Sequence, residues 1–196
     1  MKYINKVNEF IGVCLILLCS PTLSIAASTD ILETAEDWIE DQWVVDSIGE
    51  AGISISINGE ITHGDRLRLR YDYGNCDEAR VLVPVYTMID SDEILSLHRK
   101  RTSIIIDDIQ GTATILWPKR FLSGYRFTLD LGVFDANDIK THSTNFRSMT
   151  VELVDSSFLK ISDYVDLNRN TWSLEGLSRA SDKAQATCRA KSGDPV

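Results

Sequence analysis

Residues 53–72 read ISISINGEITHGDRLRLRYD, and this stretch decides the fold class. Isoleucine alternates with serine from Ile53 to Ile57, a period of two that is typical of a β-strand with one apolar face. The pair Asn58-Gly59 then predicts a tight hairpin turn. We expect a short return strand through residues 60–63 and, after a second turn, a strand from Arg66 to Tyr73 in which apolar and charged residues alternate.

The same signature continues along the chain. Five more segments are short, rich in β-branched and aromatic residues, and bounded by Gly, Pro, Asp or Asn. They are residues 80–89, 102–107, 112–117, 125–134 and 146–154. Strands at this spacing, with no long helices between them, predict a mainly β fold built as an antiparallel β-sandwich or barrel. We place one domain at residues 27–190 and a frayed tail at residues 191–196.

A helix is predicted at each end of this domain. Residues 28–43 begin with hydroxyl and aspartate caps, and their apolar side chains recur at helical spacing. Near the carboxyl end, residues 172–176 predict a last strand and a turn. Residues 177–189 then place four side chains on or near one helical face, namely Leu177, Ala180, Ala184 and Cys188. We therefore expect Cys188 to face the body of the domain.

The amino end has the layout of a secretory leader. A basic lead with Lys2 and Lys6 precedes an apolar run, and Ser24-Ile25-Ala26 places small residues where a signal peptidase cuts. We predict that residues 1–26 form a cleavable signal peptide. The alternative is a retained membrane anchor, which would need roughly 20 apolar residues, whereas this run has about ten.

Cysteine usage agrees with export. Cys14 and Cys19 fall within the predicted leader, and the bulky residues before them argue against lipid attachment. Cys76 and Cys188 remain, and an even pair in an oxidising compartment most often forms a disulfide. No Asn-x-Ser/Thr sequon occurs, so we expect a periplasmic or otherwise secreted bacterial protein.

The chain is acidic, with 20 basic and 29 acidic residues. Removal of residues 1–26 leaves a formal net charge of about −10. Nucleic acids and anionic lipid surfaces are bound through Lys and Arg, so we expect no nucleic-acid partner and no stable membrane insertion after cleavage. The charge suits a basic envelope or exported protein as partner, although it also serves solubility alone.

The sequence contains no recognisable catalytic or metal-binding motif. His63, His98 and His142 lie far apart, and none has the spacing of a zinc site. The nucleophile motif Gly-x-Ser-x-Gly does not occur. The acidic clusters at residues 135–138 and 163–168 do not combine the alternating oxygens, the glycine and the closing Glu of a calcium loop. We expect no metal, no cofactor and no catalytic residue.

Two sets of residues are candidates for contact with a partner. Arg66, Arg68 and Arg70 lie on one face of a predicted strand and form a positive ladder suited to a carboxylate-rich ligand or partner. The alternative is that acidic residues on neighbouring strands pair with them. The second set consists of three tryptophans, which would also fit the core: Trp38, Trp43 and Trp117.

Two segments resemble a group of small exported bacterial proteins. Cys76 follows the Arg-rich strand, and Trp172-Ser-Leu-Glu-Gly176 leads into the helix that carries Cys188. This layout is similar to that of the periplasmic accessory proteins of type VI secretion clusters. The resemblance covers mainly residues 65–90 and 170–190. It implies a disulfide between the two cysteines and a non-enzymatic role in the envelope, and it transfers no functional residue.

Three functions fit these observations. The first is a non-enzymatic periplasmic domain that binds a basic exported protein, as an envelope accessory or as an inhibitor or immunity protein. The second is an envelope hydrolase whose acid–base group would be His63 with Asp65, or His98. The third is a carrier for a small apolar ligand, which an unfilled cavity of several hundred Å³ would favour.

Overall fold

The computed structural model describes residues 38–40, 42–61 and 64–193. The predicted signal peptide, most of the predicted first helix, His63 and the last three residues of the predicted tail lie outside the described residues. Within the described part of the chain, no helix is long and apolar enough to cross a bilayer.

The described residues form a mainly β structure in which every strand pairing is antiparallel. The strands are β1 Trp38–Glu40, β2 Trp43–Ser47, β3 Gly52–Asn58, β4 Arg66–Asp72, β5 Asn75–Thr87, β6 Arg101–Ile106, β7 Ile109–Phe121, β8 Gly124–Asp135, β9 Ser148–Val154 and β10 Arg169–Ser173. The helices are α1 Ala136–Asn145 and α2 Leu177–Ser192, with two short 3₁₀ helices at Asp92–Leu97 and Ile161–Asp163.

These ten strands form one curled sheet. Its order is β1-β2-β3-β4-β5-β8-β7-β6-β9-β10, and its curvature makes a half-barrel. The predicted mainly β, antiparallel fold is confirmed, and the five strand segments predicted after residue 80 correspond to β5 through β9. A single curled sheet replaces the sandwich because each strand remains hydrogen-bonded to the next across the whole order.

The hairpin after β3 differs from the prediction. Asn58 pairs directly with Arg66, so the return strand is β4. The described residues between the two strands, which are 59–61, 64 and 65, belong to neither strand. The prediction of a return strand at residues 60–63 is therefore wrong for residues 60 and 61, the two of them that the structure describes. A two-residue hairpin turn of the favoured type requires positive φ at its central residues, and neither Asn58 nor Gly59 has it.

The loop between β3 and β4 reaches the last strand of the sheet. The backbone N–H of Glu60 donates to the carbonyl oxygen of Thr171 at 2.8 Å, and the backbone N–H of Ile61 donates to Oδ1 of Asn170 at 3.0 Å. Gly59 permits the approach, because a Cβ at that position would lie 2.2 Å from Nδ2 of Asn170. The β3–β4 loop therefore binds β10 across the open side of the half-barrel.

The first described residues form strands where a helix was expected. Trp38 pairs with Val45 and Ile39 pairs with Val44, in the antiparallel contact of β1 with β2. The helix predicted over residues 28–43 is therefore wrong from residue 38 onward. Backbone pairing of β2 with β3 and the β-branched residues of β2 outweigh the helical spacing of the apolar side chains.

Helix α2 packs against β2 to β5 and covers part of the core. The hydroxyl groups of Tyr71 and Ser181 form a buried hydrogen bond of 2.8 Å, and Nε2 of Gln185 donates to the carbonyl oxygen of Cys76 at 3.0 Å. The four side chains predicted to face inward are all buried: Leu177, Ala180, Ala184 and Cys188. Their helical spacing therefore correctly predicts the packed face of α2.

The predicted disulfide between Cys76 and Cys188 is confirmed. Their Cα atoms lie 5.7 Å apart, and 112 positions separate them in the sequence. The bond joins the start of β5 to α2, which continues to Ser192 and ends at Gly193 with φ +73°. The helix thus includes the first two residues of the predicted tail, residues 191–196.

Candidate functional site

The arginine ladder lies on the outer face of β4, whose apolar side chains face the core. Its three members differ in their partners. Nε of Arg70 lies 2.5 Å from Oδ1 of Asp72, an acid on the same strand rather than on a neighbour. Nε of Arg66 donates to Oδ1 of Asn58 at 3.0 Å, whereas Nε of Arg68 is buried without a hydrogen-bond partner.

The three candidate tryptophans occupy different environments. Trp43 is fully buried, and its Nε1–H donates to the carbonyl oxygen of Glu175 at 2.9 Å. Trp43 is therefore a core residue, and its assignment as a partner contact is wrong. Trp117 is 56% exposed. Trp38 belongs to β1, the first strand of the sheet.

The acid–base candidates do not assemble into a catalytic site in the described part of the chain. Asp65 is buried, its Oδ1 accepts the backbone N–H of Tyr86 at 3.1 Å, and burial raises its pKa to about 6. The cavity beside it measures about 20 Å³, which holds a water rather than a substrate. His98 is exposed, and its Nδ1 accepts the backbone N–H of Trp117 at 3.3 Å. His63 lies outside the described residues.

Among the residues that the structure describes, no three His, Cys, Asp or Glu side chains are placed to hold a metal ion. The acidic cluster at residues 135–138 has a structural role instead. Asp135 caps α1, because its Oδ1 accepts the backbone N–H of Asn137 at 2.7 Å.

An apolar cavity of about 260 Å³ lies between the inner face of the sheet and α1. Its buried wall consists of five aliphatic side chains: Leu67, Leu69, Val81, Leu174 and Leu177. More exposed apolar side chains form the other wall: Ile106, Leu131, Phe134, Ile139 and Met149. Only two lining residues carry titratable groups, and they are Asp138 and His142. The cavity therefore offers an apolar ligand a predominantly nonpolar surface.

A β-bulge in β8 shapes one side of the cavity. The β5–β8 register pairs Val81 with Gly132 but Leu82 with Asp130, so Leu131 is the extra residue. Gly132 adopts φ +114°, a conformation that favours glycine. Because a bulge bends its strand and re-aims a side chain, Leu131 lines the cavity instead of pairing across the sheet.

Helix α1 covers the cavity and is tied to α2. Nζ of Lys140 lies 2.9 Å from Oδ1 of Asp182 and 3.1 Å from Oε1 of Gln185. The positions of Ile139 and His142, three residues apart, place both on the helix face that lines the cavity. These contacts join α1 to α2 beside the cavity.

The polar rim of the cavity contains the imidazole of His142 and the carboxylate of Asp138. The ring of His142 stacks on Phe146 at 4.5 Å, and its Nε2 lies 3.6 Å from Oδ2 of Asp107. Oδ1 of Asp107 accepts the backbone N–H of Thr150 at 2.7 Å, and Oδ2 is buried without a hydrogen bond. At this rim the exposed carboxylate of Asp138 can accept a hydrogen bond from the polar end of a ligand.

Sequence reasoning did not find this cavity. The alternation in β4 predicts that Leu67 and Leu69 face inward, but α1 falls on a segment interpreted as a turn. The available signal was Asp135, a favourable N-cap residue, followed by Ile139 and His142 at helical spacing.

No protein-family model, no curated protein and no solved structure matches this chain. The resemblance to accessory proteins of type VI secretion clusters stays a prediction.

Proposed function

We propose that this domain binds a small apolar ligand in the cavity between the sheet and α1. The observation that carries the proposal is a cavity of about 260 Å³ whose described wall is apolar except for Asp138 and His142. An apolar cavity of about 150 Å³ stays dry and binds benzene, so this one has room for roughly ten carbon atoms. Burial of that many carbons supports binding in about the millimolar to micromolar range once association costs are subtracted.

The rim favours a ligand that ends in a hydrogen-bond donor. The Asp138 carboxylate lines the cavity beside His142, whose Nε2 lies 3.6 Å from the buried Oδ2 of Asp107. A ligand with its own carboxylate would place like charges together, which is unfavourable. A hydroxyl or amino group can instead donate to Asp138. The proposed ligand class is therefore an aromatic or short-chain alcohol or amine, not a fatty acid.

The test is a titration with 2-naphthol, a ten-carbon aromatic alcohol, followed by the fluorescence of the probe. The variant Leu131→Trp fills the cavity from the bulge in β8. Val133→Trp is its matched control, because Val133 lies on the same strand and is exposed outside the cavity. We expect Leu131→Trp to weaken binding by about tenfold or more and Val133→Trp to leave it unchanged. Equal affinity in both variants would exclude the cavity as the binding site.

We also propose that the domain works in the periplasm or is secreted. The support is the predicted signal peptide at residues 1–26 together with the Cys76–Cys188 disulfide, a bond that persists in oxidising compartments. Cell fractionation with thiol alkylation and mass spectrometry tests this. We expect an envelope protein that lacks residues 1–26 and has no reactive thiol. A cytoplasmic protein that retains residues 1–26 and free thiols would contradict the proposal.

It stays a prediction that this domain binds a basic protein partner, as an envelope accessory, an inhibitor or an immunity protein. The net charge of the chain supports this prediction. A pull-down from envelope extract at low and high salt tests it. Recovery of one basic exported protein that is lost at high salt is expected. Recovery of the same proteins by an unrelated acidic domain would refute it.

A further inference from the structure

A second concave surface lies on the outer face of the sheet, across β4, β5, β8 and β7. It encloses about 320 Å³. Strand pairing brings its side chains together, since Arg68 lies opposite Leu82 and Lys119 lies opposite Arg126. We call it the basic groove, and its lining includes Arg68, Lys119, Arg126, Trp117, Leu82 and Pro84.

The basic groove concentrates positive charge without a carboxylate in its wall. Within the described residues, Lys119 and Arg126 form no ion pair, and Nε of Arg68 is buried without a hydrogen-bond partner. Electrostatic interactions link Arg68 to Asp46 and Arg126 to Asp65, but neither aspartate lines the groove. The lining of the groove therefore contains three cations and no anion.

Burial and neighbouring charges both act on Arg68. Burial lowers the pKa of its guanidinium from the usual value, Asp46 opposes this change, and the positive charges of Arg126 and Arg66 add to it. Two other outer-face arginines are neutralised by acids: Arg70 by Asp72, and Arg80 by Asp130 at 2.6 Å. The chain has a net charge of −9, yet the lining of the groove contains no acid.

Trp117 is aimed by an irregularity in β7. The β7–β8 register shifts between Leu116 and Lys119, and Trp117 adopts φ +49°, which is unfavourable for a side chain of this size. Its backbone N–H donates to Nδ1 of His98, and its indole remains 56% exposed. Bulges and strained backbone of this kind occur next to binding sites, where they direct a side chain.

Arg126 is held in place before any ligand arrives. Its guanidinium carbon lies 5.5 Å from the ring centre of Phe121, and Phe121 packs edge-on against Tyr86 at 6.0 Å. Ordering of a long side chain in the free protein reduces the entropy lost on binding.

We propose that the basic groove binds a phosphorylated sugar. Three cations match a phosphate, which carries about −1.5 to −2 charges, better than a single carboxylate. The indole of Trp117 offers a flat apolar surface to the C–H face of a sugar ring, and the hydroxyl of Thr128, also in the lining, can bond a sugar hydroxyl. The acidity of the rest of the chain disfavours a long polyanion and leaves a small one.

Calorimetric titration of the protein, purified after expression of the full chain, compares glucose 6-phosphate with glucose and with inorganic phosphate. We expect glucose 6-phosphate to bind about tenfold more tightly than either, because only it uses both the cations and the indole. If inorganic phosphate bound with equal affinity, the assignment of a sugar would be overturned. If none of the three compounds bound, and the protein also failed to associate with the vesicles described below, the proposal that the groove is a binding site would be overturned.

Matched variants locate the site. Arg126→Gln is expected to weaken glucose 6-phosphate binding by about tenfold, with Lys119→Gln as a second variant. Arg70→Gln is the control, since Arg70 belongs to the same outer face but pairs with Asp72 outside the groove. A similar loss in Arg70→Gln would place the binding elsewhere. Leu131→Trp leaves this binding unchanged, which separates the groove from the apolar cavity.

The phosphorylated sugar has two natural sources, a free metabolite or a lipid headgroup. Sedimentation with vesicles that contain a lipid with a phosphorylated glucosamine headgroup, compared with phosphatidylcholine vesicles, distinguishes them. Association that glucose 6-phosphate displaces assigns the lipid source. Binding of the free sugar without vesicle association assigns the metabolite. Either result supports the groove as the binding site for a phosphorylated sugar, whereas equal association with both vesicle types contradicts this proposal.

Discussion

Asp65 couples the stability of the fold to pH. Its side chain is 8% exposed, and burial raises its pKa from 3.8 to about 6. The N–H of Tyr86 and the charge of Arg126 oppose this shift, and Asp166 adds to it. A shift of about two pKa units corresponds to about 2–3 kcal/mol. Ionisation of Asp65 therefore destabilises the folded state by about that amount.

The substitution Asp65→Asn removes this penalty. Asparagine keeps an Oδ1 atom that accepts the N–H of Tyr86, but it has no charge to desolvate. Because the folded pKa lies above the unfolded value, the folded state binds more protons between about pH 4 and 6, and stability falls as the pH rises through that window. We expect Asp65→Asn to be more stable than the native protein by about 2–3 kcal/mol near neutral pH. The difference should vanish below about pH 4.

Urea unfolding at a series of pH values measures the free energy of unfolding of both proteins. Asp108→Asn serves as the control, since Asp108 is an exposed aspartate and should show no comparable gain. The reasoning would be refuted if Asp65→Asn were no more stable near neutral pH, or if its advantage did not change between about pH 7 and pH 4.

Two further predictions concern the framework. Cys188→Ser should lower the free energy of unfolding by about 2–5 kcal/mol. Urea unfolding of this variant should match that of the native protein with its disulfide reduced. An unfolding midpoint equal to that of the oxidised native protein would contradict the prediction. Gly59→Ala should lower the thermal midpoint, because the added Cβ would lie 2.2 Å from Nδ2 of Asn170. The expected loss in the free energy of unfolding is about 1–3 kcal/mol. Gly111→Ala is the control, with its nearest neighbour atom 3.7 Å away, and an equal loss there would point to a general effect of removing glycine.

Local patterns predicted the parts of the fold that depend on local physics. Period-two alternation identified β3 and β4, and helical spacing identified the buried face of α2. The patterns failed at residues 38–43, where pairing with the neighbouring strand outweighs helical spacing. They failed again after Asn58, because the backbone N–H groups of Glu60 and Ile61 donate to β10 and the return strand begins only at Arg66. Contacts with a strand more than 100 residues away leave no local signature.

The two proposed binding sites also combine features that local sequence patterns predict with features that only the fold creates. The alternation in β4 predicts that Arg66, Arg68 and Arg70 share a face, but it does not show that Arg68 meets Lys119 and Arg126. Strand order brings those residues together from β7 and β8. The apolar cavity likewise depends on the bulge at Leu131 and on α1.

The sequence by itself determined the alternation of strand faces, the acidic charge and the two cysteines that form the disulfide. These properties reside in single residues and in short-range spacing. Only the tertiary structure decided which strands lie side by side, which arginines lack acidic partners, and where an apolar cavity opens. Those properties arise from the curvature and register of the sheet, which depend on backbone pairing between residues far apart in the chain.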